Sequence, residues 1–348
     1  MRMKLNKTFH SKNYLNWLKK HLLRNLIRKH KIKNRRRKDP AIDNDIYRNH
    51  KFGLNIKNNY RKTLYTPANF SVVDNPNITM QFFQKIEYEI LSGNPIKIDM
   101  KKVENLTFDS LLYIIAMFDY LKAMNIHFSV RGNLPLNEKF KIIVIESGFL
   151  SFFESNLNEI KYNENYLQIK SGDYTNSDIA KHLILFISKH INKSRTELFD
   201  LYRIFIEMMA NTKQHAYILK NNTPYSKWYL MAKYEKDLKK VKFVFLDTGV
   251  GIAKTISKKI SEKIFYVFSG AKDSDLIHSA LKGEFRSRTE ESWRGKGLPN
   301  IKKFSAEKYV EDLTIVSNKG YINCTKNNKS ELMDALKGTL YSWNLIWE

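Results

Sequence analysis

An aspartate ends an apolar run and is followed by two closely spaced glycines. The segment from Val244 to Ile252 reads Val-Phe-Leu-Asp-Thr-Gly-Val-Gly-Ile, which predicts a buried strand that ends at Asp247. A carboxylate there needs a hydrogen-bond donor, because an unpaired buried charge is costly, and the exocyclic amine of adenine is such a donor. Gly249 and Gly251 permit positive φ angles and a close approach of the backbone to a planar ligand. The alternative interpretation is an ordinary junction between a strand and a turn.

Three polar residues share one face of a helix predicted upstream of this segment. Glu207, Asn211 and His215 are spaced i, i+4 and i+8, so successive members are displaced by only ~40° around the helix axis. An apolar stripe between Leu201 and Met209 lies beside them and offers a packing surface. The polar stripe alone is also what an ordinary surface helix shows.

A third segment combines glycines with positive charge. Residues Arg294 to Ile301 read Arg-Gly-Lys-Gly-Leu-Pro-Asn-Ile, so two glycines precede an apolar, helix-like stretch. Such a turn can present backbone N–H groups to a phosphate at a helix N-terminus. Arg294 and Lys296 add charge. The spacing is not that of a Walker A loop.

In order and spacing, the three segments resemble the nucleotide-binding boxes of the GHKL ATPase superfamily, which includes histidine kinases, gyrase-like ATPases and anti-sigma-factor kinases. That family has an N box on a helix, D-x-G-x-G at a strand end and G-x-G-[LM] after a variable lid. The corresponding segments here are Glu207–His215, Asp247–Ile252 and Gly295–Leu298. Gly338-Thr339 resembles the opening of the family's last strand. The resemblance covers residues 177–348.

The resemblance implies how a purine is held. Asp247 would accept a hydrogen bond from the adenine amine, and Gly249 and Gly251 would shape the adenine pocket. Thr339 would lie near the adenine, and Ile252 belongs to the same nucleotide-binding set.

The resemblance also implies how the triphosphate is held. Asn211 would ligate Mg²⁺ through its amide oxygen, and Gly295 and Gly297 would line the phosphates. Glu207 would be the catalytic base that orients a water or hydroxyl toward the γ-phosphate, where catalysis rests on positioning and charge stabilisation. The residues beside these positions complete the predicted nucleotide-binding set: His215, Arg294, Lys296 and Leu298.

The long polar stretch Lys254–Trp293 would be the ATP lid. Long polar loops in compact domains are often functional, and lids gate such sites by moving. Arg286, Arg288 and Arg294 would reach phosphate oxygens in a closed state. Solvated surface charge is the alternative interpretation of these arginines.

The elements that must position the boxes alternate between helices and strands. The pattern predicts helices near Ser177–Ile191 and Arg195–Leu219, strands at Trp228–Tyr234 and Lys242–Asp247, a helix from Leu298, and strands at Leu313–Ser317 and Gly338–Trp347. We expect an α/β sandwich over residues 177–348, with a mixed sheet and helices on one face. The fold class of the whole chain is α+β.

A smaller α/β domain is predicted over residues 69–155. Its predicted elements are a strand at Ser71–Val73, a helix at Thr79–Ser92, a strand at Ile96–Asp99, a helix at Asp109–Met124, a strand at Ile126–Arg131 and a helix at Asn137–Ser147. Residues 156–176 read as a polar connection with one strand at Tyr166–Ile169.

This middle domain resembles the STAS fold of anti-sigma-factor antagonists. The family places D-S-[ST]-G at the start of a helix after an apolar strand. Asp109 and Ser110 match its first two positions, whereas Leu111 and Leu112 replace the phosphorylatable hydroxyl and the glycine. The departure puts the family's phosphorylation switch in doubt. Ser110 has the simpler interpretation of a helix-terminal capping residue.

The first 62 residues form a basic arm. They hold 20 Lys or Arg against three Asp, a net of +17 out of +25 for the whole chain. Dense charge with interleaved Tyr14, Trp17 and Tyr47 favours nucleic-acid binding. The basic amphipathic pattern of residues 13–30 instead favours a membrane surface. A solvated arm, or a helix packed on the folded body, is the third interpretation.

Composition favours a cytoplasmic, globular protein. Hydrophobic residues make up 43% of the chain, which is ample for packed cores, and Cys324 is the only cysteine, which excludes an intramolecular disulfide. No apolar run approaches the ~18–20 residues that span a bilayer, and no secretory signal core is seen.

These observations predict an ATP-binding regulatory protein with Mg²⁺ as cofactor, in which hydrolysis drives a lid-controlled switch. A protein serine/threonine kinase of the anti-sigma-factor-kinase type is the rival enzyme, and an ATP-sensing pseudoenzyme that binds nucleic acid is the third possibility. A protein partner would bind the STAS-like domain, and nucleic acid would bind residues 1–62. The oligomeric state stays open, a dimer included.

Overall fold

A computed structural model describes residues 61–153, 163–218, 224–259, 270–284 and 297–346. Within these ranges eight α-helices are present: Pro76–Leu91 (α1), Phe108–Ala123 (α2), Glu138–Glu146 (α3), Ser177–Ile191 (α4), Phe199–Gln214 (α5), Ile252–Lys259 (α6), Asp273–Leu281 (α7) and Gly297–Phe304 (α8). The strands of the two principal sheets are Lys62–Tyr65 (β1), Ile96–Asp99 (β3), Val130–Gly132 (β5), Tyr166–Gly172 (β6), Trp228–Glu235 (β9), Lys240–Asp247 (β10), Val310–Asn323 (β11) and Asn328–Ile346 (β12). Short strands form two further pairs: Asn69–Phe70 (β2) with Asn105–Leu106 (β4), and Tyr217–Ile218 (β7) with Pro224–Tyr225 (β8).

The N-terminal part is built on a small parallel sheet in the order β1-β3-β5, with α1 and α2 as the connections between its strands. Parallel neighbours need such crossovers, because a hairpin can join only antiparallel strands. Every residue from Phe108 to Phe118 is buried. A helix that is apolar on all sides is buried on all sides, and α2 accordingly lies within the core.

The C-terminal part is built on a five-stranded sheet in the order β11-β12-β10-β9-β6. Every pairing among its described strands is antiparallel, so our expectation of a mixed sheet was wrong. The connectivity explains the difference. Strands β9 and β10, like β11 and β12, follow each other through short turns that permit only antiparallel pairing, and β12 enters between β10 and β11.

Helices cover both faces of this sheet. Alternate residues of β10 enter two different cores: Phe243 and Phe245 pack with α4 and α5, whereas Val244 and Leu246 pack in the cluster that contains α1 and α2. The C-terminal helices therefore occupy one face, and α1 and α2 of the N-terminal part contact the other through β9, β10 and β12. The order of layers is parallel sheet, helices, antiparallel sheet, helices.

Residues 60–348 form one compact unit. The segment expected to connect two domains contributes β6, which pairs with β9 at the edge of the larger sheet. The division into domains at 69–155 and 177–348 stays a prediction. The predicted basic arm lies outside the described residues up to position 60, and Lys62 already begins β1.

Local predictions were mostly confirmed, with five corrections. The strand predicted at Ile126–Arg131 is confined to Val130–Gly132, and the helix predicted at Arg195–Leu219 spans Phe199–Gln214, after which Tyr217–Ile218 forms β7. Ser71–Val73 is a turn and its neighbours Asn69–Phe70 form the strand. The stretch Lys254–Trp293, read as a long polar loop, contains the end of α6 and all of α7, whose Ile277 and Leu281 are buried. The last two strands continue beyond their predicted ends into a long hairpin. None of the described helices combines the length and apolarity needed to cross a membrane.

Candidate functional site

Asp247 ends β10 as predicted, directly opposite Thr339 on β12. The Gly249 N–H donates to Asp247 Oδ1 over 2.8 Å, and Thr339 donates to the carboxylate from both its hydroxyl and its backbone. Burial nevertheless raises the pKa of Asp247 to about 6, because removal from water penalises the charged form more than these donors stabilise it. The carboxylate therefore has capacity for a further donor.

Two glycines permit the close backbone approaches around Asp247. Gly338 has φ +103°, and a Cβ at this position would lie 1.8 Å from the Asp247 carbonyl oxygen. At Gly249 a Cβ would lie 2.7 Å from the His215 carbonyl oxygen. That same carbonyl accepts the Val250 N–H over 2.9 Å. The end of α5 is thereby joined to the loop that follows Asp247.

A polar pair on β11 supports the far side of the loop. Gly251 has φ +88°, and Asn318 lies so close that a Cβ would meet its Oδ1 at 2.4 Å. Asn318 Nδ2 donates to the Val250 carbonyl over 3.1 Å. The Ser317 hydroxyl accepts the Ile252 N–H over 2.9 Å and lies 3.0 Å from the Thr339 hydroxyl. The loop is thus hydrogen-bonded both to α5 and to the sheet.

Glu207 lies in the middle of α5 and reaches the third predicted box. Its carboxylate accepts a hydrogen bond from Asn300 on α8, and it is half-buried. Burial raises the pKa of Glu207, against the opposing effects of Arg203 and Asn300. The contact joins α5 to the helix that begins at Gly297.

Tyr341 lies near both acidic residues. It is two residues beyond Thr339 on the same face of β12, opposite Phe245, and its ring packs edge-on against Phe245 at 6.3 Å between centroids. Burial, and then the charges of Asp247 and Glu207, raise the pKa of Tyr341 well above its ordinary value. Sequence reasoning missed this residue, although strict alternation along the last strand places it on the Thr339 face.

The structure brings together much of the predicted site. Asn211 lies in the last turn of α5 and His215 directly follows the helix; both are half-buried, while Leu298 packs beside the C-terminal core. Arg294, Gly295 and Lys296 lie outside the described residues, as do Arg286 and Arg288 of the predicted lid. The sequence analysis did not identify three residues of the site: Asn300, Ser317 and Asn318. Of these, only Asn300 lies within a segment predicted to bind the nucleotide.

The predicted lid is anchored in part. Within Lys254–Trp293, α7 contacts β11, and its Ser274 N–H donates to Glu331 over 2.7 Å. The described part of this stretch is therefore continuous with the core.

The Asp109-Ser110 motif at the start of α2 is closed to solvent. Asp109 and Ser110 are fully buried. Asp109 Oδ1 accepts the Val72 N–H over 2.6 Å, and the Ser110 hydroxyl donates to the same oxygen over 3.2 Å. Burial raises the pKa of Asp109. Ser110 is held inside the fold in a structural role.

The described residues contain no group of three or more His, Cys, Asp or Glu side chains arranged to hold a metal ion. No protein-family model matches the chain, and no curated protein matches it significantly.

Proposed function

We propose that the chain binds ATP with Mg²⁺ at the Asp247 end of β10 and that nucleotide turnover operates a regulatory switch. The supporting observation is that one helix, α5, touches both the loop after Asp247 and the helix after the paired glycines. Helices α5 and α8, which are more than 80 residues apart in sequence, are thereby neighbours.

Asp247 supplies the recognition of adenine. One carboxylate oxygen is held by the Gly249 N–H, which fixes the orientation of the group and leaves acceptor capacity for the exocyclic amine. With a pKa of about 6 the carboxylate is mostly ionised at neutral pH. A hydrogen bond from the amine would favour the ionised form further.

The phosphates would lie toward α5 and α8. The first turn of α8 would present backbone N–H groups to an anion, and Asn211 would offer an amide oxygen to the metal. Bound Mg²⁺ would neutralise phosphate charge, with most of its ligands drawn from phosphate oxygens and water. That arrangement needs no cluster of protein carboxylates.

Glu207 would act as the base. A half-buried carboxylate with a raised pKa is suited to accept a proton near neutral pH, and Asn300 holds its orientation. The proton of the attacking water or hydroxyl would pass to Glu207.

Calorimetry with a non-hydrolysable ATP analogue, with and without Mg²⁺, tests binding. We expect saturable binding that weakens without Mg²⁺, and no comparable binding of the GTP analogue. Asp247→Asn keeps an oxygen for the Gly249 N–H but turns an N–H toward the adenine amine, so affinity should fall about 10- to 100-fold. Asp178→Asn, at an exposed side chain, is the control. Equal affinity of parent and Asp247→Asn would contradict the assignment.

Turnover is tested separately with γ-labelled ATP. Glu207→Gln should bind the analogue as the parent does and lose turnover by about 100-fold or more. Asp200→Asn, an exposed substitution on the same helix, should leave both unchanged. Release of free phosphate supports an ATPase, whereas label on an added protein partner supports the rival kinase. Binding without either product would make the chain a pseudoenzyme.

A further inference from the structure

A carboxylate on α2 holds the start of β9. Asp119 Oδ2 accepts from Lys227 Nζ and from the Tyr229 hydroxyl, each over 2.8 Å. Tyr229 is fully buried and the Asp119 side chain is 19% exposed, so solvent screens the contact between them only weakly, whereas the Lys227 side chain is 37% exposed and its ion pair is screened more. Asp119 therefore secures two residues that flank the first residue of the strand.

Lys227 in turn holds the residue after Asp247. The Thr248 N–H donates to the Lys227 carbonyl over 2.9 Å. The Thr248 hydroxyl accepts the Lys227 N–H over 2.8 Å and lies 3.0 Å from the Lys227 carbonyl. These bonds extend the pairing of β9 with β10 by one residue beyond Asp247. A displacement of Lys227 would carry Thr248 with it.

A second contact from α2 holds Lys337 on β12, next to the Gly338 backbone that packs against Asp247. The Lys337 N–H donates to the Tyr113 hydroxyl of α2 over 3.2 Å. The Lys337 ammonium pairs with Glu87 of α1 and lies 4.9 Å from the centroid of the Tyr120 ring. Lys337 directly precedes Gly338, whose backbone packs against the Asp247 carbonyl.

We propose that α1 and α2 position the Asp247–Thr339 pair through these two contacts, and that nucleotide affinity at this pair depends on Asp119 and Tyr113. The identity of the ligand rests on the proposed function. The positioning rests on the hydrogen bonds alone. Both residues act through backbone neighbours of the site and would not touch the nucleotide.

The contacts of Asp119 and Tyr113 lie next to the Asp247–Thr339 pair, where they would orient this pair as well as stabilise the fold. They meet the sheet at Lys227, directly before β9, and at Lys337 on β12. These two strands flank β10, and each contact lies within two residues of the Asp247–Thr339 rung. Coupling of this kind is reciprocal, so a ligand that orders Asp247 also orders the contacts to α2. The N-terminal helices would thereby sense occupancy of the site.

Amide hydrogen exchange and calorimetry on the full chain test the proposal. Asp119→Ala removes the acceptor, and Asp119→Asn retains an oxygen and serves as the conservative rescue. Tyr113→Phe removes one hydroxyl and keeps the ring that packs on Phe83. Glu138→Ala, which breaks an exposed ion pair on α3, is the control.

Without ligand, we expect amide exchange in residues 246–252 to be about 10-fold faster in Asp119→Ala than in the parent. Mg²⁺ with the ATP analogue should bind this variant about 10-fold more weakly. Each change corresponds to the loss of about one hydrogen bond. Asp119→Asn should recover most of both losses, and Glu138→Ala should show neither. In the parent, the analogue should slow exchange in α2.

Two results would overturn the proposal: unchanged exchange at 246–252 in both Asp119→Ala and Tyr113→Phe, or faster exchange with unchanged affinity. If Asp119→Ala does not fold, Tyr113→Phe decides the question, since it leaves the packing intact. A parent that binds no analogue refutes the proposed function, and the ligand-free exchange then decides the positioning of Asp247 by itself.

Discussion

At the scale of single residues, the candidate site is marked by acids whose surroundings oppose ionisation. Asp247 and Glu207 both have raised pKa values because burial outweighs their hydrogen-bond donors. A folded protein that keeps such groups has retained them against a cost in stability, which is common at functional sites. Tyr341 lies close enough to both acids for their charges to raise its own pKa.

The Asp247 carboxyl predicts a pH dependence of stability. Its pKa is raised from 3.8 to about 6, so between these values the folded state binds more protons than the unfolded state. The free energy of unfolding therefore falls as pH rises through this window, by at most about 3 kcal/mol from this group. Urea unfolding of the parent and of Asp247→Asn, at pH 4 to 7.5, measures the contribution as a difference.

Other carboxyls titrate in the same window, so the comparison with Asp247→Asn isolates the one group. The stability of the parent relative to the variant should decline from pH 4 to pH 6 and stay constant above about pH 7. A difference that does not change with pH would show that Asp247 is not desolvated in the folded protein.

At the scale of elements, the site depends on close contacts between strand ends and loops. Gly338 begins the part of β12 that lies beside Asp247, and its φ of +103° and lack of a side chain are both needed there. Helix α5 contributes through its C-terminal carbonyl, which accepts the Val250 N–H. These contacts link elements that the sequence showed only as separate motifs.

Gly338→Ala should destabilise the protein beyond the cost of a positive φ. Gly270 has φ +95°, and a Cβ added there would meet no described atom within 4 Å beyond its chain neighbours, so Gly270→Ala carries the conformational cost alone. We expect Gly338→Ala to lower the free energy of unfolding by about 1–3 kcal/mol more than Gly270→Ala, because its methyl group meets the Asp247 backbone. Denaturant titration of both variants measures this. Equal losses of unfolding free energy in the two variants would show that the Gly338 and Asp247 backbones move apart without cost.

At the scale of the whole molecule, α2 is the shared core of two sheets. It is buried from Phe108 to Phe118, and the cluster around it includes Tyr229, Met231 and Val244 of the larger sheet. Residues of the N-terminal part thus contribute to the stability of the C-terminal part. The same helix carries Asp119 and Tyr113, which contact Lys227 and Lys337 beside the candidate site.

Leu112→Ala should therefore weaken both parts together. Leu112 is fully buried in α2, and such truncations cost about 2–5 kcal/mol. Tryptophan fluorescence reports largely on the C-terminal part through the buried Trp228 and Trp343, and its transition should move to lower denaturant. Leu136→Ala, at an exposed leucine, should leave it in place. An unmoved tryptophan transition in Leu112→Ala would show that the two parts unfold independently.

The sequence alone determined the local elements and the places where chemistry is concentrated. Ile96–Asp99 was predicted with its observed bounds, and the strand ending at Asp247 and the helix carrying Glu207 were both located. Helical and strand periodicity are properties of neighbouring residues, so these predictions required no knowledge of distant contacts. The order of the three boxes along the chain was likewise readable from their glycines and polar residues.

Only the tertiary structure determined which elements and side chains contact one another. The contacts of Asp119 with Lys227 and of Lys337 with Tyr113 join residues about 100 or more positions apart in sequence. The antiparallel arrangement of the larger sheet and the burial of Ser110 likewise depend on the packing of distant elements. Isolated polar residues such as Asp119 carry no periodic signal, and their partners are chosen by the packing of whole layers. Local patterns place residues on faces, whereas chain topology and core packing determine which faces meet.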